Sequence, residues 1–117
     1  MAAEYRHKKY FRIRGADDTL KTFSSTADAN TKIGFTSAYD TLTPTKTEAL
    51  EDSGQTLVVT YEFDSDADQT AFQSAIDDAW ANSPHSPFNP ADATDTVEHF
   101  KTEWLEPDGS VGTTVNL

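Results

Sequence analysis

Residues 55–81 read QTLVVTYEFDSDADQTAFQSAIDDAWA, and they determine the class of fold to which the chain belongs. Thr56–Phe63 is rich in β-branched and aromatic residues, which favour a strand. The acidic run 64–68 interrupts that pattern. From Thr70 onward, apolar residues recur every three or four positions, which predicts an amphipathic helix that ends near Ala81. The stretch therefore predicts one strand–turn–helix unit.

The acidic run has two interpretations, a cation site or a helix cap. Its alternating aspartates resemble the start of a calcium loop, which needs Gly at the sixth position and Glu at the twelfth. Gln69 and Ala75 stand at those positions instead. Ser65 and Asp68 have the spacing of a capping box, and acidic side chains are favourable at a helix N-terminus. We therefore predict a helix cap and no metal site.

The segment before this unit begins with a predicted strand at residues 5–14. Phe11 and Ile13 share one face of that strand, and Tyr10 and Arg12 share the other. The next 20 or so residues are polar, and we predict two short helical pieces in them. The first is expected to be capped by Asp17 or Asp18 and to contain Leu20 and Phe23. The second contains Ala27, Ala29 and Ile33.

A hairpin is predicted between residues 46–52 and residues 55–63, because Ser53 and Gly54 form a turn signal between them. The charged first arm suits a sheet edge. The last core strand is predicted at 97–105, and a short terminal strand at 111–117 folds back on it. Phe100 and Trp104 are expected to face the core from the last strand. Its opposite face is predicted to carry His99, Lys101 and Glu103.

In chain order these elements form the β-α-β-β-α-β pattern of a ferredoxin-like fold. We therefore predict an α+β fold, with a four-stranded antiparallel sheet, two helices on one face and an extra C-terminal strand. Residues 1–117 are expected to form a single domain, since the length is typical of one. The predicted core consists of Phe11, Ile13, Leu20, Phe23, Leu57, Val59, Tyr61, Phe63, Phe72, Ile76, Trp80, Phe100 and Trp104.

The charge distribution restricts the classes of partner. The net charge of −11 argues against nucleic-acid binding through a general basic field. Residues 1–14 nevertheless carry +4, whereas residues 15–117 carry −15. The absence of cysteine excludes a disulfide framework and a thiol nucleophile. Without an apolar span or a signal-peptide pattern, we expect a cytoplasmic protein that does not bind membranes.

The element order resembles the dimeric ferredoxin-like, or dimeric α/β-barrel, superfamily. The resemblance covers the order and size of the elements over most of the chain. It implies that two subunits pair sheet to sheet and that the sheet face opposite the helices lines a partly enclosed cavity. No cofactor is predicted, because no phosphate loop or other cofactor motif occurs.

The predicted open face of the sheet supplies the candidate site. Arg12, Arg14 and Lys101 are candidates for binding a small anionic ligand, since arginine holds carboxylates and phosphates bidentately. His99 and Glu62 are candidate acid–base residues. In the alternative interpretation, these cations pair with Glu62 and Glu103 across the strands. The other histidines, His7 at the start of the first strand and His85 in a proline-rich loop, are expected to be solvated.

Two functions of different classes follow from these observations. The first is a non-enzymatic homodimeric module that associates through its sheet and serves a structural or binding role. The second is a dimeric-barrel enzyme, similar to monooxygenase-like or isomerase-like members, that acts on a small organic molecule. The enzyme requires His99 and an arginine to converge within hydrogen-bond reach. An acidic accessory protein of viral or marine microbial origin is a third alternative, suggested by composition alone.

Overall fold

A computed structural model gives the structure of residues 5–82 and 88–116, with residues 80–82 described by their backbone alone. It is a mixed α+β fold with a five-stranded antiparallel sheet in the order β2-β3-β1-β4-β5. The strands are β1 (Tyr5–Arg14), β2 (Thr45–Glu51), β3 (Thr56–Phe63), β4 (Thr96–Leu105) and β5 (Val111–Asn116). The helices are α1 (Thr26–Ile33) and α2 (Asp66–Asn82), and short 3₁₀ turns occupy Ser37–Asp40 and Asp52–Gly54.

The predicted strand–turn–helix unit is confirmed as β3 followed by α2. β3 lies second from the edge of the sheet and pairs with β2 and β1. Ser65 caps α2, because its Oγ accepts a hydrogen bond of 3.1 Å from the backbone N–H of Asp68. Phe72 and Ile76 of α2 are fully buried, as their helical spacing predicts. α2 therefore packs its apolar stripe onto the sheet.

Of the two helical pieces predicted in this segment, the second is confirmed as α1, whereas the first, around Leu20 and Phe23, is wrong. α1 begins after Ser25, whose side chain accepts a hydrogen bond from the backbone N–H of Asp28. The residues before it form a turn and an extended return. Asp17 bonds within that turn, to the backbone N–H and the hydroxyl of Thr19, rather than capping a helix. The backbone N–H of Lys21 then donates to the carbonyl of Ile13, which holds the returning chain against β1.

Gly34 ends α1 in a left-handed conformation, with φ of +67°. Its backbone carbonyl accepts a 2.6 Å hydrogen bond from the N–H of Asn89 in the segment before β4. A Cβ at Gly34 would lie 1.9 Å from the carbonyl oxygen of Asn89. Glycine is therefore required there by both the conformation and the close approach of the two segments.

An aromatic core lies between the helices and one face of the sheet. Phe11 of β1 makes edge-on contacts with three rings, those of Phe35, Tyr39 and Phe88, at centroid distances of 5.0–5.8 Å. Edge-on pairs of this kind add about 0.5–1.5 kcal/mol beyond area burial. The predicted core residues confirmed as buried are Phe11, Ile13, Phe23, Leu57, Val59, Tyr61, Phe63, Phe72 and Ile76.

A β-bulge in β4 makes part of the predicted core wrong. Tyr10 pairs with Lys101, but the next residue, Phe11, pairs with His99, so Phe100 is an extra residue in β4. Because a bulge of one residue reverses the alternation of faces, Phe100 lies on the sheet face opposite the core. Trp104 faces the helices but is only half-buried, as is Leu20. The predicted core position of Trp80 lies outside the described side chains.

The hairpin and the terminal strand are confirmed, as β2–β3 and β4–β5. Two consecutive residues with positive φ, Asp52 and Ser53, form the turn of the hairpin before Gly54.

Among the described residues, no helix is both long and apolar enough to cross a membrane.

Candidate functional site

The sheet has two chemically different faces, and the alternation of β1 separates them. Both helices bury their apolar residues in the core with Phe11 and Ile13. We call the opposite side the open face. It carries from β1 the side chains of Arg6, Lys8, Tyr10, Arg12 and Arg14. From the other strands it carries Thr45, Thr47, Ala49, Glu51, Thr56, Val58, Thr60, Glu62, Thr96, Glu98, Phe100, Lys101, Glu103, Leu105, Thr114 and Asn116.

Two arginines of the open face share one carboxylate. The Nε atoms of Arg12 and Arg14 each lie 3.0 Å from Oε1 of Glu98, which is the cross-strand partner of Arg12. All three side chains are about one-third exposed. Partial exposure screens such pairs, so they contribute little to stability. Arg14 is also 3.9 Å from Asp18, so a second carboxylate accompanies the two guanidinium groups.

The other contacts of the open face combine rings with cations. Lys101 Nζ lies 4.0 Å from the ring centroid of Tyr10, and Arg12 Cζ lies 4.3 Å from that of Phe100. The Tyr10 hydroxyl donates a hydrogen bond to Glu103. Burial, followed by this hydrogen bond, raises the pKa of Tyr10. These contacts cover Tyr10, which is 6% exposed although neither of the two described helices packs on this face.

The open face is close to electrically neutral. It carries five of the nine cationic side chains of the protein, and four carboxylates accompany them. Its net charge is therefore +1 in a chain of −11, which leaves −12 for the rest of the molecule. The cations are concentrated on β1, whereas β2 and β3 contribute only Glu51 and Glu62.

The structure brings together only part of the predicted site. Arg12, Arg14 and Lys101 lie on the open face, near the bulge. Glu62 lies on the same face, but its cross-strand partner in the sheet is Arg6. Arg6 is six residues from Arg12 along β1, so Glu62 and Arg12 are separated by about 20 Å at 3.3 Å per residue. In the alternative interpretation, Arg12 and Arg14 were expected to form ion pairs with Glu62 and Glu103. They form ion pairs with Glu98 instead, a residue that was not predicted from the sequence.

His99 lies on the helix-facing side, so the prediction that it shares a face with Lys101 is wrong. The bulge places it opposite Phe11, with the two ring centroids 5.2 Å apart. Its Nε2 lies 2.8 Å from the hydroxyl of Thr102. His99 and Arg12 therefore do not converge, and the pair on which the enzyme alternative depended is not formed.

A second polar group of residues lies beneath α2, and the sequence reasoning did not identify it. We call it the buried cluster; it comprises His7, Lys9, Gln69, Gln73, His99 and Thr102. His7 and Lys9 are 0% and 1% exposed, so the prediction that His7 is solvated is wrong. His7 Nδ1 lies 2.8 Å from Gln69 Oε1, and Lys9 Nζ donates to Gln73 Oε1. His85 lies outside the described residues.

Burial perturbs all three basic groups of the buried cluster. Desolvation, followed by the charge of Lys9, lowers the pKa values of His7 and His99 from 6.5 to about 3. Desolvation also lowers the pKa of Lys9 from 10.5 to about 8, against the opposing field of Asp77. Asp77 is connected to the cluster, because its carboxylate accepts a hydrogen bond of 2.9 Å from the Gln73 amide. Both histidines are therefore neutral at pH 7, and Lys9 is largely charged.

The buried cluster follows from the alternation of β1. His7 and Lys9 have the same parity as Phe11 and Ile13, which the sequence places in the core. The ring of His7 stacks on those of Tyr61 and Phe63, as an apolar residue would. Nε2 of His7 has no hydrogen-bond partner within the described part of the chain.

A small pocket lies where β3 meets α2. Its volume is about 60 Å³, and its lining includes Pro44, Glu62, Asp64 and Asp68. Ligand sites for small organic molecules are typically about 300–1,000 Å³, so this pocket is too small for such a substrate. Within residues 5–82 and 88–116, no three His, Asp or Glu side chains are grouped so that they could hold a metal ion.

Comparison with known proteins returns no relative: no protein-family model, no curated protein and no solved structure matches the chain.

Proposed function

We propose that this protein is a ferredoxin-like module that functions as a homodimer, in which the open faces of two copies pack against each other. The strand order β2-β3-β1-β4 supports the ferredoxin-like assignment, with β5 as an added edge strand. The module serves a structural or binding role. The observation that carries the proposal is the near-neutral open face in an otherwise strongly acidic molecule.

Charge favours this face as the contact between two copies. Two chains of −11 repel each other, and the cost of close approach is lowest where their surfaces are neutral. Among the described residues, Lys8 and Lys101 of the open face form no ion pair, and neither do Glu51 and Glu62. These four groups are available to pair across an interface.

The distribution of the charges defines a geometry for the dimer. A two-fold axis that runs between β1 and β3 places β1 of one copy over β3 of the other. Arg6 of β1 then lies over Glu62 of the second copy, with Lys8 two residues along the strand, and Lys101 of β4 lies over its β2, which carries Glu51. A two-fold operation repeats each favourable contact, because the interface uses the same surface patch on both subunits.

The area of the face is adequate for association. Four overlapping strands, spaced about 4.8 Å apart and about seven residues long, give a footprint on the order of 450 Å² per copy. Side-chain relief makes the accessible area larger than the footprint, towards the roughly 800 Å² per partner of a standard interface. Val58, Tyr10 and Phe100 lie at the centre of the face; Val58 and Tyr10 are only 4% and 6% exposed, so the surrounding charged and polar side chains supply most of the contact area.

Exchange of charges tests the proposal. Lys8→Glu and Glu62→Lys each place like charges across the proposed interface, so each variant is expected to be monomeric, with the 12.9 kDa mass of the chain. An equimolar mixture of the two variants restores opposite charges at both symmetry-related contacts. We expect the mixture to recover the mass of a dimer by size-exclusion chromatography with light scattering.

Lys46→Glu is the matched control, because Lys46 is also a strand lysine but faces the helix side of β2 and pairs with Asp40. It is expected to leave the dimer intact. A monomeric wild-type chain at 100 μM or above overturns the proposal, as does a mixture that stays monomeric while each variant is folded by circular dichroism.

A further inference from the structure

The two edges of the sheet differ in their protection against pairing with another strand. β2 forms one edge and carries Lys46, Glu48 and Glu51, with Pro44 directly before it. Charges and proline are the usual devices that prevent edge-to-edge association. β5 forms the other edge and reads VGTTVN, without a charge or a proline. In a chain that is 25% charged, this edge lacks those devices.

β5 has the solvent exposure and the amino-acid composition of an edge strand that can pair with a further strand. All six of its residues are exposed, including Val111 at 48% and Val115 at 37%. It pairs with β4 on one side, and about half of its backbone N–H and C=O groups point to the other side, as in any antiparallel edge strand. Valine and threonine have high β-propensity. A partner strand would satisfy those backbone groups and cover the exposed valines.

We propose that the outer edge of β5, which pairs with no other strand of the described residues, pairs with β5 of a second copy, antiparallel and about a two-fold axis at Thr114. Absence of charge within β5 favours this occupant, because its residues meet those of a second copy of an acidic chain without like-charge repulsion, and Glu106, whose carboxylate lies beside Gly112, is outside the residues Thr113–Asn116. With the axis at Thr114, the two Thr114 residues face each other. Thr113 of one copy then lies opposite Val115 of the other, and the exposed valine gains an apolar contact.

A bulge limits the length of this edge. Trp104 pairs with Thr113 and Leu105 with Val111, so Gly112 is an extra residue in β5. The regular part of the edge is therefore Thr113–Asn116, and four residues a side bury far less area than a standard interface of about 800 Å² per partner. Edge pairing is consequently expected to be weaker than the association proposed for the open face. The two contacts use different parts of the sheet, so either can form without the other. Where both occur, edge pairing links dimers into longer assemblies.

Introduced cysteines test the pairing directly, because the chain has none of its own. Opposite residues of an antiparallel pair have Cβ atoms about 4.5–5.5 Å apart, which is within reach of a disulfide after a small adjustment. Thr114→Cys is therefore expected to form an intermolecular disulfide under mild oxidation. The experiment is performed in the Lys8→Glu background, so that association through the open face does not contribute.

Thr47→Cys is the matched control, since Thr47 is also an exposed threonine on an edge strand and on the open face. We expect Thr114→Cys to be cross-linked at least five-fold more than Thr47→Cys on a non-reducing gel. A second substitution, Thr113→Glu, places a charge opposite Val115 of the second copy and is expected to reduce the Thr114→Cys yield. Equal yields at the two positions overturn the proposal, and so does a Thr114→Cys protein that stays monomeric after oxidation.

Discussion

Lys8 and Lys9 are neighbours in sequence but lie in opposite environments. Lys8 is half-exposed on the open face, whereas Lys9 is 1% exposed beneath α2, with its ammonium held by Gln73. The same contrast extends along β1, where arginines on one face alternate with a buried histidine and aromatic residues on the other. For these two lysines, the period of the strand, and not the polarity of the residue, determines which side chain is dehydrated.

The two faces differ in how strongly charge affects stability. On the open face the ion pairs are partly hydrated, and such pairs contribute about 0–1 kcal/mol each. Under α2 the charged forms of His7, Lys9 and His99 lose hydration, and no carboxylate of the described residues is in direct contact with them. A difference of one in pKa corresponds to about 1.4 kcal/mol. The buried cluster should therefore dominate the dependence of stability on pH.

The largest expected effect is acid destabilisation through the histidines. Their pKa values are lowered to about 3, so the unfolded chain binds more protons below pH 6.5 and the free energy of unfolding falls as the pH falls from 6.5 towards 3. Each histidine contributes a loss of about 3 kcal/mol between pH 7 and pH 4. Urea denaturation at the two pH values measures it. His7→Phe, which preserves the ring stacking, should reduce the loss by about that amount.

An equal loss in wild type and His7→Phe would contradict the burial of His7. His85 is present in both proteins, so its titration cancels in the comparison.

The next effect is an increase in stability at alkaline pH. The lowered pKa of Lys9, about 8, means that the unfolded chain binds more protons between pH 8 and 10.5, so the free energy of unfolding rises with pH in that window. The expected rise from Lys9 is about 1.6 kcal/mol between pH 8 and 9.5. Urea denaturation of wild type and Lys9→Met at these two pH values measures the rise in the free energy of unfolding that is due to Lys9. The tyrosines contribute equally to the two proteins, so their effect cancels in the difference.

Lys8→Met is the matched control for Lys9→Met, with the same substitution one residue away on the open face. It should retain the alkaline increase of the wild type. Loss of the increase in Lys8→Met, or its persistence in Lys9→Met, would show that the two lysines have been assigned to the wrong faces.

The smallest effect is expected on the open face. Glu98→Gln removes the carboxylate shared by Arg12 and Arg14, and we expect the free energy of unfolding to fall by less than about 1 kcal/mol. Added salt should reduce the difference further. Thermal or urea denaturation at low and high salt measures it. A decrease in the free energy of unfolding above about 3 kcal/mol would mean that the ion pairs of Glu98 are dehydrated, as the buried cluster is.

Sequence periodicity predicts the elements well where apolar residues carry the signal. β3, α2, the hairpin and the two C-terminal strands follow from alternation, helical spacing and turn residues. The helix predicted around Leu20 was wrong, because short polar side chains there bond to the local backbone. Propensity cannot distinguish a helix cap at Asp17 from a turn that Asp17 stabilises by itself.

The candidate site was harder to predict, since it depends on register. A single extra residue, Phe100, moves His99 to the helix side and leaves Lys101 on the open face. Bulges have no sequence signature in this strand, so the change of face was not foreseeable. The burial of His7 and Lys9 was foreseeable from their parity with Phe11, and it was missed because their polarity was given more weight than their position.

Thiol accessibility tests the division of β1 into two faces most directly. In this cysteine-free chain, Lys8→Cys and Lys9→Cys each introduce a single thiol, and reaction with a disulfide reagent is followed in protein dilute enough to be monomeric by light scattering. We predict that the thiol at position 8 reacts within the mixing time of a manual assay. The thiol at position 9 should react at least 100-fold more slowly, and at a rate that rises with urea. Similar rates at the two positions, or faster reaction at position 9, would contradict the account, because a slip of one residue in β1 exchanges its two faces.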